Sequence, residues 1–168
     1  LAATAVALPL HDAAREGNVA LVEQLLAQGV DVNVVDETRN TALHHAVAEA
    51  QIDVVNALLK RHSKLDINAR KNAGETPLHL ARAKGRQKIA ALNNAQGTEI
   101  NALDRREYTP LCAAAFEGRP DTIKVLLAKG ADVKGVPNDY DGEYMSLPVM
   151  CALQGGKLPI VTLLLEKG

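Results

Sequence analysis

A string of six residues recurs five times along this chain with small changes. The copies are LPLHDA at 8–13, TALHHA at 41–46, TPLHLA at 76–81, TPLCAA at 109–114 and LPVMCA at 147–152. Successive copies start 33, 35, 33 and 38 residues apart. A nearly fixed interval predicts similar structural units stacked one on another, because a catalytic site is normally encoded only once.

The residues around each string predict a short helix. Thr41, Thr76 and Thr109 can each cap a helix N-terminus with the side-chain oxygen, and proline at the next position favours a first helical turn. Eight residues after the second position of each string stand Gly17, Ala50, Gly85, Gly118 and Gly156. Glycine at this position favours the left-handed conformation that ends a helix. Each string therefore predicts a helix of about eight residues.

A second helix is predicted in most copies by paired aliphatic residues. The first copy has Leu21, Val22, Leu25 and Leu26, and the second and fifth copies repeat this spacing. Residues spaced in this way form one apolar face of a helix. One helix pair cannot bury such a face alone, so the copies are expected to stack into a solenoid.

These columns, together with GVDVN at 29–33 and GADVK at 130–134, resemble the ankyrin repeat over about residues 8–168. The resemblance implies an all-α solenoid of about five stacked helix-turn-helix repeats with hairpin-like finger loops. The chain, 1–168, is expected to be a single domain and a fragment of a longer protein. The predicted repeats are about 3–35, 36–70, 71–103, 104–136 and 142–168, with an insertion at about 134–144.

Charge and composition exclude several classes of partner. The chain has 19 Lys plus Arg and 20 Asp plus Glu, a formal net charge of -1. No strong positive field is therefore available to attract nucleic acid or an anionic membrane. No apolar run approaches the roughly 20 residues needed to cross a bilayer. The two cysteines are too few for a disulfide framework, which favours an intracellular, cytoplasmic location, with a secreted effector as the alternative.

No catalytic residue, metal site or cofactor is predicted. His11, His44 and His79 occupy one column of the repeat, where the family uses histidine to hydrogen-bond neighbouring turns. Cys112 lies in the same column and Cys151 one position further along in the next copy. Both cysteines are interpreted as small buried residues, because nothing in the sequence supplies a base for a nucleophile.

Five asparagines have predicted roles in modification, in turns or in local stability. Asn33, Asn68 and Asn101 resemble asparagines that an oxygen-dependent hydroxylase modifies in some ankyrin proteins, although a hydrogen-bonded turn is the favoured interpretation. Asn93 and Asn94 stand where the other copies have paired aliphatic residues. Unpaired amides facing the stack would weaken it, so a local weak point is predicted there, with a polar binding notch as the alternative.

A partner-binding site is predicted from the resemblance and from the aromatic residues. Ankyrin proteins usually bind partners on a concave surface formed by the fingers, here 36–40, 71–75, 104–108 and 142–146, and by the ends of the first helices. One Phe and three Tyr are the only aromatics in the chain, and all lie between residues 108 and 144. Aromatic residues and arginine dominate interface energetics. The predicted site is Arg105, Arg106, Tyr108, Phe116, Tyr140 and Tyr144, with Glu117 and Lys84 at a rim of mixed charge.

The alternative for the aromatic residues is that they cover the stack beneath the insertion. The predicted function is a non-enzymatic, monomeric module that binds another protein through the concave surface. A second hypothesis makes the array the substrate-recruiting arm of an enzyme, such as a host-directed effector or a transferase, with its catalytic domain outside this fragment. A third makes it a scaffold segment that packs against a neighbouring domain.

Overall fold

The computed structural model describes residues 2–60, 64–81, 97–137, 144–145 and 147–168. These residues form helices and one pair of very short strands. The helices are α1 (Ala2–Glu16), α2 (Val19–Ala27), α3 (Ala42–Ala48), α4 (Ile52–Leu59), α5 (Pro77–Leu80), α6 (Pro110–Glu117), α7 (Pro120–Ala128), α8 (Pro148–Gln154) and α9 (Leu158–Leu165). The strands β1 (Val136–Pro137) and β2 (Tyr144–Met145) pair antiparallel in the finger that precedes α8.

Four of the five strings start a helix, and the first does not. The Thr41 side chain accepts a hydrogen bond from the His44 N–H, and the Thr109 side chain accepts one from the Cys112 N–H. Leucine stands at the capping position in both the first copy (Leu8) and the fifth (Leu147), and neither side chain has an oxygen to accept such a bond, yet α8 still begins at Pro148. Helix α1 begins earlier than its string, at Ala2, and contains Pro9 in its interior, which the sequence pattern did not predict.

The helices form two layers. In the inner layer α1, α3, α5, α6 and α8 pack in that order, and in the outer layer α2 packs on α4. Among the outer helices, α7 and α9 pack on α6 and α8 of their own repeats. A leucine at the third position of each of the first four strings is fully buried between neighbours: Leu10, Leu43, Leu78 and Leu111. The predicted all-α solenoid is therefore confirmed.

The fingers are held by aspartate-centred turns and joined in series. The Asp36 carboxylate accepts hydrogen bonds from the Thr38 and Asn40 N–H groups. Between fingers, the Asn72 N–H donates to the Thr38 carbonyl at 3.0 Å. A Cβ atom at Gly74 would lie 2.9 Å from the backbone nitrogen of the fourth finger, so the third finger needs glycine there to pack closely. The fingertips therefore form one connected edge of the solenoid.

Ala50 ends α3 in the left-handed conformation that glycine adopts at the same position of other repeats. Its φ is 58°, against 81° for Gly17 and 72° for Gly118. We expect Ala50→Gly to raise the free energy of unfolding by about 0.5–1 kcal/mol, because a Cβ atom is strained in this region. Urea unfolding measures the change. The control Ala48→Gly, within the helix, should lower stability instead, and a loss of stability in both variants would contradict the assignment.

Candidate functional site

A pocket of about 460 Å³ lies between the third finger (71–75), the fourth finger (104–108) and the last turn of α6. We call it the inner pocket. Its lining is Asn72, Ala73, Glu75, Asp104, Arg105, Arg106, Tyr108, Ala113, Phe116 and Glu117. The structure thus brings together five of the eight residues predicted for the site: Arg105, Arg106, Tyr108, Phe116 and Glu117.

Tyr108 is fixed at both its backbone and its side chain. The Asp104 carboxylate accepts the Tyr108 N–H at 2.9 Å, and the Tyr108 carbonyl accepts a hydrogen bond from Nε2 of His79, also at 2.9 Å. The Tyr108 hydroxyl donates to Oε1 of Gln154 at 3.1 Å. The ring is half-buried and packs in part against the core. The fourth finger is therefore connected to the repeats before and after it.

Phe116 presents an exposed aromatic ring at the end of α6. Its side chain is 41% exposed, although α6 is otherwise largely buried up to that point. Phe116 and Glu117 follow Ala113 by three and four residues, so Ala113 neighbours both side chains on the helix surface, and all three residues line the pocket. Helix α6 ends immediately beyond, at Gly118 in the left-handed conformation. The inner pocket therefore combines a rigid apolar group with charged fingers.

Among the described residues, the acidic groups of the inner pocket have partners, whereas the side chains of its two arginines form no ion pair. Glu75 pairs with Nζ of Lys71 at 2.6 Å, and the Asp104 carboxylate accepts backbone N–H groups within its finger. Within the described residues, Arg105 and Arg106 form no ion pair, and both are exposed. These two guanidinium groups are therefore available to a ligand.

Some predicted residues cannot be placed, and others were missed. Lys84, Tyr140, Asn93 and Asn94 lie outside the described residues. Tyr144 lies in β2, but its side chain is also outside the described part. Five residues of the pocket lining were not among the predicted site residues: Asn72, Ala73, Glu75, Asp104 and Ala113. Of these, Asp104 could have been found, because it repeats the position of Asp36 at the start of a finger.

The histidine column has the structural role that was predicted. His11 donates from Nε2 to the Val34 carbonyl at 2.9 Å, and His44 donates to the Glu75 carbonyl at 3.2 Å. Nδ1 of His44 accepts the Thr41 N–H, so the neutral ring satisfies both nitrogens. Burial lowers the pKa of His44 to about 4. These side chains join one repeat to the next finger.

In the fourth repeat the histidine column is replaced by a cysteine. The structure joins Cys112 to Cys151 in a disulfide between α6 and α8, with the Cα atoms 5.5 Å apart. Both residues are buried, as predicted. The bond itself was not predicted, because the two cysteines do not occupy equivalent positions of the repeat. Cys112 is the fourth residue of its six-residue string, and Cys151 is the fifth residue of the next one.

The three turn asparagines join neighbouring repeats. Oδ1 of Asn33 accepts the Asp66 N–H at 2.7 Å, Asn68 accepts the Glu99 N–H at 2.9 Å, and Asn101 accepts the Asp132 N–H at 3.0 Å. The favoured interpretation of these residues as hydrogen-bonded turn asparagines is therefore confirmed.

The described residues contain neither a cluster that could bind a metal ion nor a helix that could cross a membrane. No group of three or more His, Cys, Asp or Glu side chains in this part of the chain is placed to hold a metal ion. No helix within the same residues is both long and apolar enough to cross a membrane.

Comparison with known proteins gives a consistent family match. The family described as "Ankyrin repeats (3 copies)" matches residues 10–104 and 90–168. The chain is 30% identical over 127 residues to "Transient receptor potential cation channel subfamily A member 1" of Drosophila melanogaster, covering 74% of this chain and 11% of the channel.

Two further similar proteins, from a fungus and a fish, also exceed this chain in length. "Ankyrin repeat protein nuc-2" of Neurospora crassa is 30% identical over 163 residues, 96% of this chain and 15% of that protein. "Putative palmitoyltransferase ZDHHC13" of Danio rerio is 31% identical over 128 residues, 74% of this chain and 19% of that protein. The chain thus spans less than a fifth of the length of each of these relatives.

Proposed function

The chain belongs to the ankyrin-repeat family, and we propose that it binds a protein partner through the inner pocket. Ankyrin repeats generally mediate protein–protein interaction, and the repeat itself is typically non-catalytic. The observation that carries the proposal is the convergence of Arg105, Arg106, Tyr108 and Phe116 on one pocket. The partner would be met by the third and fourth fingers and the end of α6.

The residue types in the inner pocket suit a protein interface. Burying the exposed ring of Phe116 would contribute up to about 2 kcal/mol, and an aromatic ring loses little conformational freedom on binding. The guanidinium groups of Arg105 and Arg106 can each bind a carboxylate or a carbonyl oxygen. Because Tyr108 is held by hydrogen bonds before any partner arrives, little ordering remains to oppose association.

A pair of variants tests the pocket. We expect the double variant Phe116→Ala and Arg106→Ala to reduce capture of the partner from a lysate of the source cells by at least about tenfold, because both groups would be central to the interface. The control is Leu158→Ala and Lys124→Ala, which removes one exposed apolar and one exposed basic side chain from the outer helices. Quantitative mass spectrometry of captured proteins gives the measurement.

Circular dichroism establishes that both double variants are folded. Equal capture by the pocket variant and the wild type would contradict the proposed site. If only the control variant, changed in the outer helices, lost capture of the partner, the partner would bind the outer layer. That result would also contradict the proposed site.

The chemical class of the partner, the oligomeric state and the cellular location of the protein are also proposed. We assign a protein partner, and no nucleic acid, to a module that acts as a monomer, and the net charge of -1 supports the choice of partner. The intracellular, cytoplasmic location expected from the sequence requires Cys112 and Cys151 to be reduced there, because disulfides are rare in the cytosol. The similarity to a protein named as a palmitoyltransferase favours a second candidate, in which the array recruits a substrate for an enzymatic domain elsewhere in the longer protein. Sequencing the complete reading frame distinguishes the two.

A further inference from the structure

A second cleft, of about 380 Å³, lies across the fingers beside the inner pocket. We call it the fingertip cleft. Its lining is Arg39, Arg70, Lys71, Gly74, Leu103, Asp104 and Arg105. Four of these side chains are basic and one is acidic, although the chain as a whole has a net charge of -1. Positive charge is therefore concentrated locally on the second, third and fourth fingers.

The basic side chains of the fingertip cleft fall into two classes. Arg70 is held in place, because its guanidinium donates to the carbonyls of Gly74 and Leu103 and also lies 3.7 Å from the Glu99 carboxylate. Lys71 is neutralised by Glu75. In contrast, Arg39 and Arg105 have no ion pair within the described part of the chain, and both are exposed. Two unpaired guanidinium groups thus flank a cleft whose other cations are already held in place.

The acidic residue of the cleft does not cancel this charge by direct contact. The Asp104 carboxylate accepts the N–H groups of Arg106 and Tyr108 at 2.8 and 2.9 Å, so its accepting atom is directed at the backbone of its own finger. No salt bridge joins it to Arg39 or Arg105 among the described residues. When the four basic side chains are counted against Asp104, Glu75 and Glu99, the cleft keeps a net charge of +1, and its unpaired positive groups are Arg39 and Arg105.

The backbones that carry the two unpaired arginines are fixed. The Arg39 N–H donates to the Asp36 carbonyl at 2.9 Å, and the Arg105 N–H donates to the Ala73 carbonyl at 3.0 Å. Asp104 and Arg105 line both the fingertip cleft and the inner pocket, so the two lie side by side on the fourth finger. One extended ligand could therefore occupy both.

We infer that the partner presents an acidic peptide segment, with Asp or Glu carboxylates bound by Arg39 and Arg105 in the fingertip cleft and an apolar side chain against Phe116 in the inner pocket. The inference rests on the proposed function and names the chemistry of its partner. Guanidinium groups bind carboxylates through paired hydrogen bonds, and such charge-assisted bonds are stronger than neutral ones. Charge complementarity of this kind also gives selectivity among partners.

The first test is selection of peptides from a random dodecapeptide library displayed on phage. The immobilised wild-type chain should enrich peptides in which Asp or Glu residues flank an aromatic or aliphatic residue. Their affinity should fall as salt is raised, because these charges lie at the surface. Enrichment of peptides without an acidic excess, or of no peptide at all, would overturn the inference.

Matched charge reversals make the second test. The double variant Arg39→Glu and Arg105→Glu should weaken binding of a selected acidic peptide by at least about tenfold, because it replaces attraction with repulsion at both contacts. The control, Lys124→Glu and Lys129→Glu, makes the same change in net charge on and beside the outer helix α7. Fluorescence anisotropy with the labelled peptide should give the control an affinity close to that of the wild type.

The outcomes separate this inference from the proposed function. Equal weakening by the two reversals would show only a general charge effect and would overturn the inference. A cellular partner whose capture requires Phe116 and Arg106 but tolerates the Arg39 and Arg105 reversal would also overturn it, while leaving the proposed function intact. Binding of a single-stranded RNA oligonucleotide that is lost with the same reversal, in the absence of peptide binding, would replace the peptide with nucleic acid and overturn both.

Discussion

Replacing Gly155 with alanine should lower the free energy of unfolding by about 3 kcal/mol, at the upper end of what overpacking usually costs. A Cβ atom on this residue would lie 2.2 Å from the backbone carbonyl oxygen of Phe116 and 3.0 Å from its carbonyl carbon. Both atoms belong to the last turn of α6, so neither can rotate away as a side chain would. Helices α6 and α8 would have to separate at the end that lines the inner pocket.

The neighbouring glycine supplies the control for this steric effect. Gly156 has a φ of 67° and nothing within 4 Å of an added Cβ atom. Gly156→Ala should therefore cost only about 1 kcal/mol, through backbone conformation alone. Urea unfolding compares the two variants. A Gly155→Ala variant no less stable than Gly156→Ala would contradict the close contact between α6 and α8.

Acid should destabilise the protein through His44 between about pH 6.5 and pH 4. Burial lowers the pKa of this imidazole from its ordinary 6.5 to about 4 in the folded chain. Within this interval the unfolded state binds more protons than the folded state, so stability falls as the pH falls. The contribution is complete above pH 6.5, and its full loss corresponds to at most about 3 kcal/mol. Urea midpoints measured across this interval provide the test.

The variant His44→Cys isolates this titration, because the chain itself places Cys112 at the same column of its fourth repeat. It should be less stable than the wild type at neutral pH, since hydrogen bonds to Thr41 and Glu75 are lost. Its stability should nevertheless vary less between pH 6.5 and 4. An equal slope in the variant and the wild type would contradict a neutral buried His44.

Asp36 acts in a separate and lower pH range. Burial would raise the pKa of its carboxyl, but hydrogen bonds from the Asn40 backbone and from the His45, Thr38 and Asn40 side chains lower it well below its usual range. The stability that it contributes is present above its ordinary pKa and is lost only at more acidic pH. Asp36 therefore contributes little to any decline in stability between pH 6.5 and 4.5.

Local sequence chemistry predicted most of the helix boundaries. Threonine caps, glycine stops and the buried leucine column act within a few residues, so their spacing is visible in the sequence. The start of α1 was missed because Ala2 lies before the first copy of the string, outside the columns that repeat. The Cys112–Cys151 bond was missed because it depends on the offset between two neighbouring helices.

The candidate site was predictable only in part. The aromatic residues and arginines stood out by composition, and five of the predicted residues do line one pocket. The fingertip cleft was not predicted, because Arg39, Arg70 and Arg105 come from three fingers that meet only in the stacked array. The sequence also does not reveal which charges are already paired, such as Lys71 with Glu75. That distinction decides which cations remain available to a partner.

Photo-crosslinking tests whether a protein partner binds in the inner pocket. A benzoylphenylalanine introduced at Phe116 should crosslink to the partner on irradiation, whereas the same group at Leu158, which is 68% exposed on the outer layer, should not. Crosslinks from position 116, mapped to an acidic segment of the partner, are the predicted result. Crosslinks from position 158 with none from position 116 would contradict the claim.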